Sequence, residues 1–228
     1  MPLQTRPLGL SLAIDEALRG VLALGLLEAE GLVMEPEPAG FAEERDRVCA
    51  RLSAAYSGKP PSDVPGIGET RALFHTLGID PTKTRPSSEA LLRRVMQGRG
   101  LPTVNLAVDV CNLCSLEHQL PLGLYDRDLV HGGVRVRLGR EGESYPGIRK
   151  QRVNLAGRLL LADQDGPFGA PTSDSARTAV TPRTRRLLVA VFCPIDRAEP
   201  DLAAALEAIA ASLTRWCGAT VTAVRVAQ

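Results

Sequence analysis

Four polar side chains stand at helical spacing in an otherwise apolar segment: Asn105, Asp109, Asn112 and Ser115. If the segment is a helix, positions i, i+4 and i+7 share one face, and Ser115 lies beside them. Amides, a carboxylate and a hydroxyl on a wall of Leu, Val, Ala and Cys are unusual, because buried polar groups need partners. Such a stripe either ties down neighbouring backbone, here the chain around Pro121 and Asp126, or lines a pocket. The same segment carries Cys111 and Cys114 at CxxC spacing, with His118 four residues on. Zinc wants four ligands and no second Cys or His pair stands at ligand spacing, so no metal is expected. Positions 107, 111, 114 and 118 form a stripe of their own, and buried thiols pack as small hydrophobes. Further on, Glu141 and Glu143 lie near Arg137 and Tyr145. Paired acids beside an arginine could serve acid–base chemistry or form a charged surface turn. No GxSxG, P-loop, GxGxxG or HExxH is present, so no nucleophile elbow or nucleotide loop is at hand, and no cofactor is expected.

The elements that must position these groups follow from local pattern. Phe41 to Tyr56 reads as a helix with Phe41, Val48, Leu52 and Ala55 on one stripe. Arg71 to Leu77 reads as a short helix ended by Gly78. Pro86-Ser87-Ser88-Glu89 opens another, with a serine to cap and an acid where the dipole favours it; it should run to about Gln97. Val104 to about His118 is the helix that carries the polar stripe. Val134 to Leu138 alternates apolar and basic, a half-buried strand. Leu159 to Ala162 is a strand entering a hairpin turn at Asp163-Gln164-Asp165-Gly166. Leu187 to Cys193 is an apolar run short enough for a buried strand, Asp201 to about Trp216 is a helix, and Thr220 to Val226 is a closing strand. The first 35 residues hold two apolar stretches that periodicity cannot divide between strand and short helix. The expected fold is α+β, a layered β-sheet core with flanking helices. Residues 1–70 should join the same core as the region 70–195, with 196–228 closing it, because short strands need a partner sheet.

The chain has 228 residues, 44% apolar and 23% charged, which excludes disorder, collagen and coiled coil. Its formal charge of +1 leaves no global field to draw it to nucleic acid or membrane, so such binding must come from local patches. Only Lys59, Lys83 and Lys150 are lysines; arginine, suited to bidentate phosphate contacts, supplies the rest of the positive charge. Two stretches are locally basic, Lys83 to Arg99 and Arg177 to Arg186, and each is a solvated face or a phosphate-binding patch. Five scattered cysteines make no disulfide framework, so a reducing cytoplasm is the expected compartment. The apolar run Gly20 to Leu27 is too short to span a bilayer, and Pro7 to Ile14 lacks a cleavage pattern, so no membrane partner is expected.

Read together, several segments resemble a known family. Pro86 to Val95, Leu101 to Asn112, and Leu120-Pro121-Leu122-Gly123-Leu124-Tyr125-Asp126 look like the B3/B4 domain of the phenylalanyl-tRNA synthetase beta subunit. So do Val134 to Arg137, Gly142-Glu143, Leu161 to Gly166, and Thr178-Ala179-Val180-Thr181 followed by Thr184. The order and spacing hold from about residue 70 to 195, and the length resembles a free-standing form of the domain. The resemblance implies a mixed α/β fold and a trans-acting hydrolase that deacylates mischarged tRNA, because a binding pocket alone discriminates close analogues poorly. The chemistry is attack of a positioned water on an activated ester, with donors for the oxyanion and no strong nucleophile. The implied catalytic set is Asn112 and Ser115 to orient water or ester, Glu143 for the amino group and Thr181 for the oxyanion. Asn105, Asp109, Tyr125 and Asp126 complete the expected pocket, and Arg85, Arg94, Arg183 and Arg185 the expected contacts to tRNA phosphate. The sequence departs from the family pattern in two places. Gly123 stands where the synthetase motif has a histidine, and the synthetase's Gly-Gly falls near Asp174-Ser175. Two alternatives to the deacylase are a non-catalytic amino-acid or tRNA-binding module and a small-molecule hydrolase.

Overall fold

The computed structural model describes residues 9–148 and 152–228. In chain order its main elements are β1 (Leu12–Ile14), β2 (Leu22–Glu30), α1 (Phe41–Ala55), α2 (Ile67–Thr76), α3 (Ser87–Met96), α4 (Leu106–His118) and β3 (Leu122–Asp126). There follow β4 (Val134–Leu138), β5 (Ser144–Tyr145), β6 (Val153–Asn154), β7 (Leu159–Asp163), β8 (Gly166–Gly169), β9 (Arg186–Pro194), α5 (Ala203–Cys217) and β10 (Thr220–Ala227). One sheet has the order β10-β2-β9-β3, a second β1-β4-β7-β8, and β5 and β6 form a short ribbon.

The two apolar runs of the sequence, β2 and β9, pair antiparallel along their whole length at the centre of the first sheet. Both are buried on both faces, which is why they read as continuous rather than alternating hydrophobics. Leu22, Leu24 and Leu26, with Leu188, Ala190 and Phe192, face Val134, Val136, Leu159 and Phe168 of the second sheet. Ala23, Leu27, Leu187, Val189 and Val191 point the other way and meet α1, α3, α4 and α5. The layers are therefore helices, sheet, sheet. Each fully buried Leu or Val in these seams contributes roughly 1.5–3 kcal/mol relative to exposure.

The mixed α and β fold is the one expected, and both early apolar stretches are strands. The run beginning at Pro7 starts in residues outside those described. Three helix ends differ from the local reading. α2 starts four residues before Arg71, because Gly66, at φ +85°, turns the chain and the Glu69 carboxylate accepts from its N–H. α4 starts at Leu106, because Asn105 is its cap and accepts from Val108 N–H at 3.1 Å. α5 starts at Ala203, after a separate, wider turn over Ala198–Leu202. Among the described residues, no helix is long and apolar enough to cross a membrane.

Candidate functional site

β3 is the outer strand of its sheet, and α4 leads directly into it. The pair carries one wall each of a cavity of about 340 Å³. Val104, Val108, Cys111 and Asn112 line it from α4 and its lead-in, Leu122 and Leu124 from β3, and Ile148, Asp174, Ala179 and Val180 from the loops beyond. The wall is thus mainly aliphatic, with one amide, one carboxylate and one thiol. Burial pushes the Cys111 thiol well above its ordinary value, so it is a neutral wall group rather than a nucleophile. The register of β3 adds backbone groups. Phe192 N–H donates to Pro121 C=O, so residues 121, 123 and 125 face β9 and the peptide groups of Leu122 and Leu124 face the open edge.

The opposite wall is held by a compact set of contacts. Tyr125, fully buried between the sheets, donates its hydroxyl to Asp174 Oδ1 at 3.0 Å and packs edge-on against Phe168, with ring centroids 4.8 Å apart. Burial, then the charge of Asp174, push the Tyr125 phenol well up, so it stays a donor. Ile148 N–H donates to Asp174 C=O at 3.2 Å, and the Tyr145 hydroxyl donates to Ser173 C=O. A Cβ at Gly123 would lie 2.0 Å from the Tyr125 hydroxyl oxygen, and one at Gly169 2.1 Å from it. The two departures from the family motif therefore meet: the missing side chain at 123 makes the room for Tyr125, whose hydroxyl is bonded to Asp174 at the other.

Of the expected polar stripe, the cavity receives Asn112 alone. Asn105 is the helix cap. Asp109 is buried and accepts from Val104 N–H at 2.9 Å, with its pKa raised first by burial. Ser115 donates to Leu120 C=O at 2.7 Å and so fixes the turn into β3. Both outcomes weighed for the stripe occur on one helix, because its first and last turns have loose backbone to satisfy and its middle does not. Asp126 accepts from Thr184 Oγ1 at 2.6 Å and from Asp128 N–H at 3.1 Å, pinning the end of β3 to the turn at 181–184. Thr181 lies in that turn, exposed, and its hydroxyl accepts from Arg183 N–H at 3.3 Å. Glu143 forms a two-pronged pair with Arg137, both contacts 2.7 Å, and also accepts from Arg140 N–H. The Arg137 bonds hold its carboxyl down to about 2. Tyr125 reaches the cavity only through Asp174.

The expected phosphate contacts are dispersed. Arg94 donates to Gly100 C=O at 3.3 Å, Arg185 donates to Pro182 and Thr184 carbonyls, and Arg183 is exposed on the same turn. Arg85 lies 3.6 Å from Glu89, a fully buried acid that also meets Arg93 at 2.8 Å and Arg71 at 2.9 Å. Arg93, four residues on, is the one partner of Glu89 that helical spacing announces; Arg71 comes from α2. Asp174, Ile148 and Val180 were not picked out as wall residues from sequence, since each sits in irregular chain that no period marks. Cys114, Cys193 and Cys217 are buried thiols, as the packing reading expects. His131, Asp163 and Asp165 form a group close enough to share a cation. Arg177 already bonds Asp163 at 2.8 Å and His131 N–H takes its other oxygen, so the cluster is internally paired.

The protein is thus a layered α+β one, with a cavity of about 340 Å³ between an edge strand and a helix. The B3/4 domain model matches residues 69–212, and the chain belongs to that family. Among its relatives, the phenylalanine–tRNA ligase beta subunit of Thermobifida fusca is 31% identical over 145 residues, covering 62% of this chain and 17% of the relative. That of Streptomyces avermitilis is 36% identical over 114 residues, covering 49% of this chain and 13% of the relative. The chain thus spans less than a fifth of the length of these relatives. An N-terminal fragment of the phenylalanyl-tRNA synthetase beta subunit from Pyrococcus horikoshii has the same fold. Its TM-score is 0.52 at 13% identity, covering 96% of this chain and 52% of that one.

Proposed function

We propose that the protein is a trans-acting hydrolase that releases a wrongly attached amino acid from tRNA. The observation that carries this reading is the cavity itself: about 340 Å³, at the small end of ligand pockets, with an aliphatic wall and two convergent polar side chains. The amino-acid side chain takes the aliphatic wall formed by Val104, Val108, Leu124 and Val180. Asp174 faces the α-ammonium, the role first expected of Glu143, whose oxygens are committed to Arg137. The Asn112 amide orients the attacking water. The Leu122 and Leu124 peptide groups lie where an edge-strand N–H can meet a developing oxyanion. Water attacks the ester carbonyl carbon and its oxygen stays on the amino acid. The C–O bond to the ribose breaks, and the proton passes to the leaving ribose oxygen. No metal or covalent intermediate is needed.

The test is a deacylation assay on a panel of correctly and wrongly charged tRNAs, with Asn112→Ala beside the unaltered protein. Selective release of one noncognate amino acid, lost in the variant, is the expected result. One observation favours a binding module instead: Asp174, the one acid among the described lining residues, already accepts from Tyr125. Salt-dependent tRNA binding with no release across the panel would establish that reading and overturn the hydrolase.

A further inference from the structure

The chain that carries Asp174 also borders a second hollow. It is a recess of about 490 Å³ whose lining includes Thr172 and Ser173, the two residues preceding Asp174. Of the nine described residues that line it, four are cationic, Lys83, Arg85, Arg152 and Arg158. Among the described residues, no carboxylate lines the recess with them. Arg152 donates from Nε to the neutral Ser144 hydroxyl at 2.7 Å. Arg85 leans on Glu89, but that single carboxylate also faces Arg71 and Arg93, so three guanidiniums share one negative charge. Asp80, three residues before Lys83, is held low first by the Thr82 N–H and to a smaller extent by Lys83, so it offsets part of that lysine's charge, but it lies outside the lining. The bases come from two separate stretches of chain, one leading into α3 and the other running from β6 into β7, and tertiary structure alone brings them together.

The recess and the cavity are mechanically one unit. Tyr145 of β5 holds Ser173 by its carbonyl, and Ile148, three residues on, holds Asp174 by its carbonyl and lines the cavity. β5 pairs with β6, whose Val153 and Asn154 line the recess. Thr172 and Ser173 of the recess are therefore only one or two residues from Asp174 of the cavity, at about 3.8 Å between consecutive Cα atoms.

We propose that this recess binds the phosphodiesters of the single-stranded 3′ end of RNA, leading the terminal ester over the 172–174 strip into the cavity. The inference rests on the hydrolase reading for what enters the cavity. The recess lining holds no aromatic ring on which a base could stack, so it reads charge and backbone rather than base identity. Arg85 keeps the role first expected of it. Lys83, Arg152 and Arg158 are new, and the surface is distinct from the 181–186 turn that holds Arg183 and Arg185.

The experiment titrates an uncharged acceptor-arm hairpin with a single-stranded 3′ end, by fluorescence anisotropy across a salt series. The variants are Lys83→Ala/Arg152→Ala and, as a control of equal charge, Arg47→Ala/Arg51→Ala on the exposed face of α1. Thermal melts check that both fold. The recess variant should bind roughly 10- to 30-fold more weakly at 0.1 M salt, with the salt slope reduced by about 1.4, at about 0.7 per lost phosphate contact. The control should change neither. Equal losses in the two variants, or no loss in the recess variant, overturn the proposal. So does a recess that discriminates in the same way for an acidic peptide but not for RNA. Hydrolysis of a simple amino-acid ester separates this proposal from the reading it rests on. If RNA binding falls as expected but neither charged tRNA nor ester is hydrolysed, the recess stands and the hydrolase fails. If charged tRNA is deacylated equally well by the recess variant, the hydrolase stands and the recess fails.

Discussion

The cavity beside β3 and the recess beside β6 share one strip of chain and are built by opposite means. The cavity is walled by aliphatic side chains, with two polar side chains aimed inward; the recess holds four positive charges and no negative one. An aliphatic wall selects by shape and is nearly indifferent to salt. A cationic recess attracts any polyanion and weakens steeply with salt. A protein with only the first would hold a free amino acid, and one with only the second would hold any RNA. Adjoining along residues 172–174, the two together would, on the reading proposed above, ask for both at once.

Substitutions at the anchors of each region test that division. The largest effect is expected at Glu89, the fully buried acid at the start of α3 that meets three arginines. Glu89→Gln removes the one buried charge that three partly exposed guanidiniums share, and should cost about 3 kcal/mol in urea denaturation, at about 1.5–3 for each of its two charge-assisted hydrogen bonds less what the amide retains. Because the chain from Lys83 to Arg85 leads into α3, RNA affinity should change with it. Intact RNA binding in a destabilised Glu89→Gln would show that the recess does not depend on this anchor.

Next is Gly123→Ala. A methyl group there overlaps the Tyr125 hydroxyl, so the ring must move and release Asp174. A loss of about 1–3 kcal/mol is expected from such overpacking. Gly123→Ala/Tyr125→Leu should recover part of it, non-additively. Simple additivity would show that the two positions are not coupled. Val108→Trp fills the cavity from a half-buried helix position. It should abolish ester hydrolysis while RNA affinity stays within about twofold, as expected for surfaces that share no side chain. Loss of both would mean the two regions are not separable.

The smallest effect concerns Glu143, which pins the turn before β5. Its folded carboxyl is lowered from 4.5 to about 2, chiefly by Arg137. A depressed acid contributes stability that is fully present above about pH 4.5 and is lost as pH falls towards 2. Glu143→Gln should flatten that part of a stability–pH profile and leave the profile above pH 6 parallel to that of the unaltered protein. An unchanged acid limb would remove Glu143 from the account of this turn.

Local pattern carried much of the architecture. The double-sided burial of β2 and β9 is written in their unbroken apolar runs, and α1 in its stripe of Phe41, Val48 and Leu52. α2 was shortened because a glycine cap gives no side-chain signal, and its true start depends on Glu69 reaching back to Gly66. The polar stripe of α4 was visible as a stripe, but its members could not be sorted. Whether Asp109 faces a cavity or Val104 N–H depends on how the preceding loop folds back over the helix.

The sequence alone is enough for the main helices, for the strands β4, β7, β9 and β10, for which faces are apolar, and for arginine as the main source of positive charge. Those properties are set by neighbours within a few residues, through hydrogen-bond period and side-chain alternation. The tertiary structure alone decided that Asp174 joins Asn112 at one cavity and that Lys83 joins Arg152 at one recess. These partners lie more than sixty residues apart along the chain. No local period records such a distance; contacts made across the fold close it, such as Tyr125 hydroxyl to Asp174 and Ser87 N–H to Pro171 C=O.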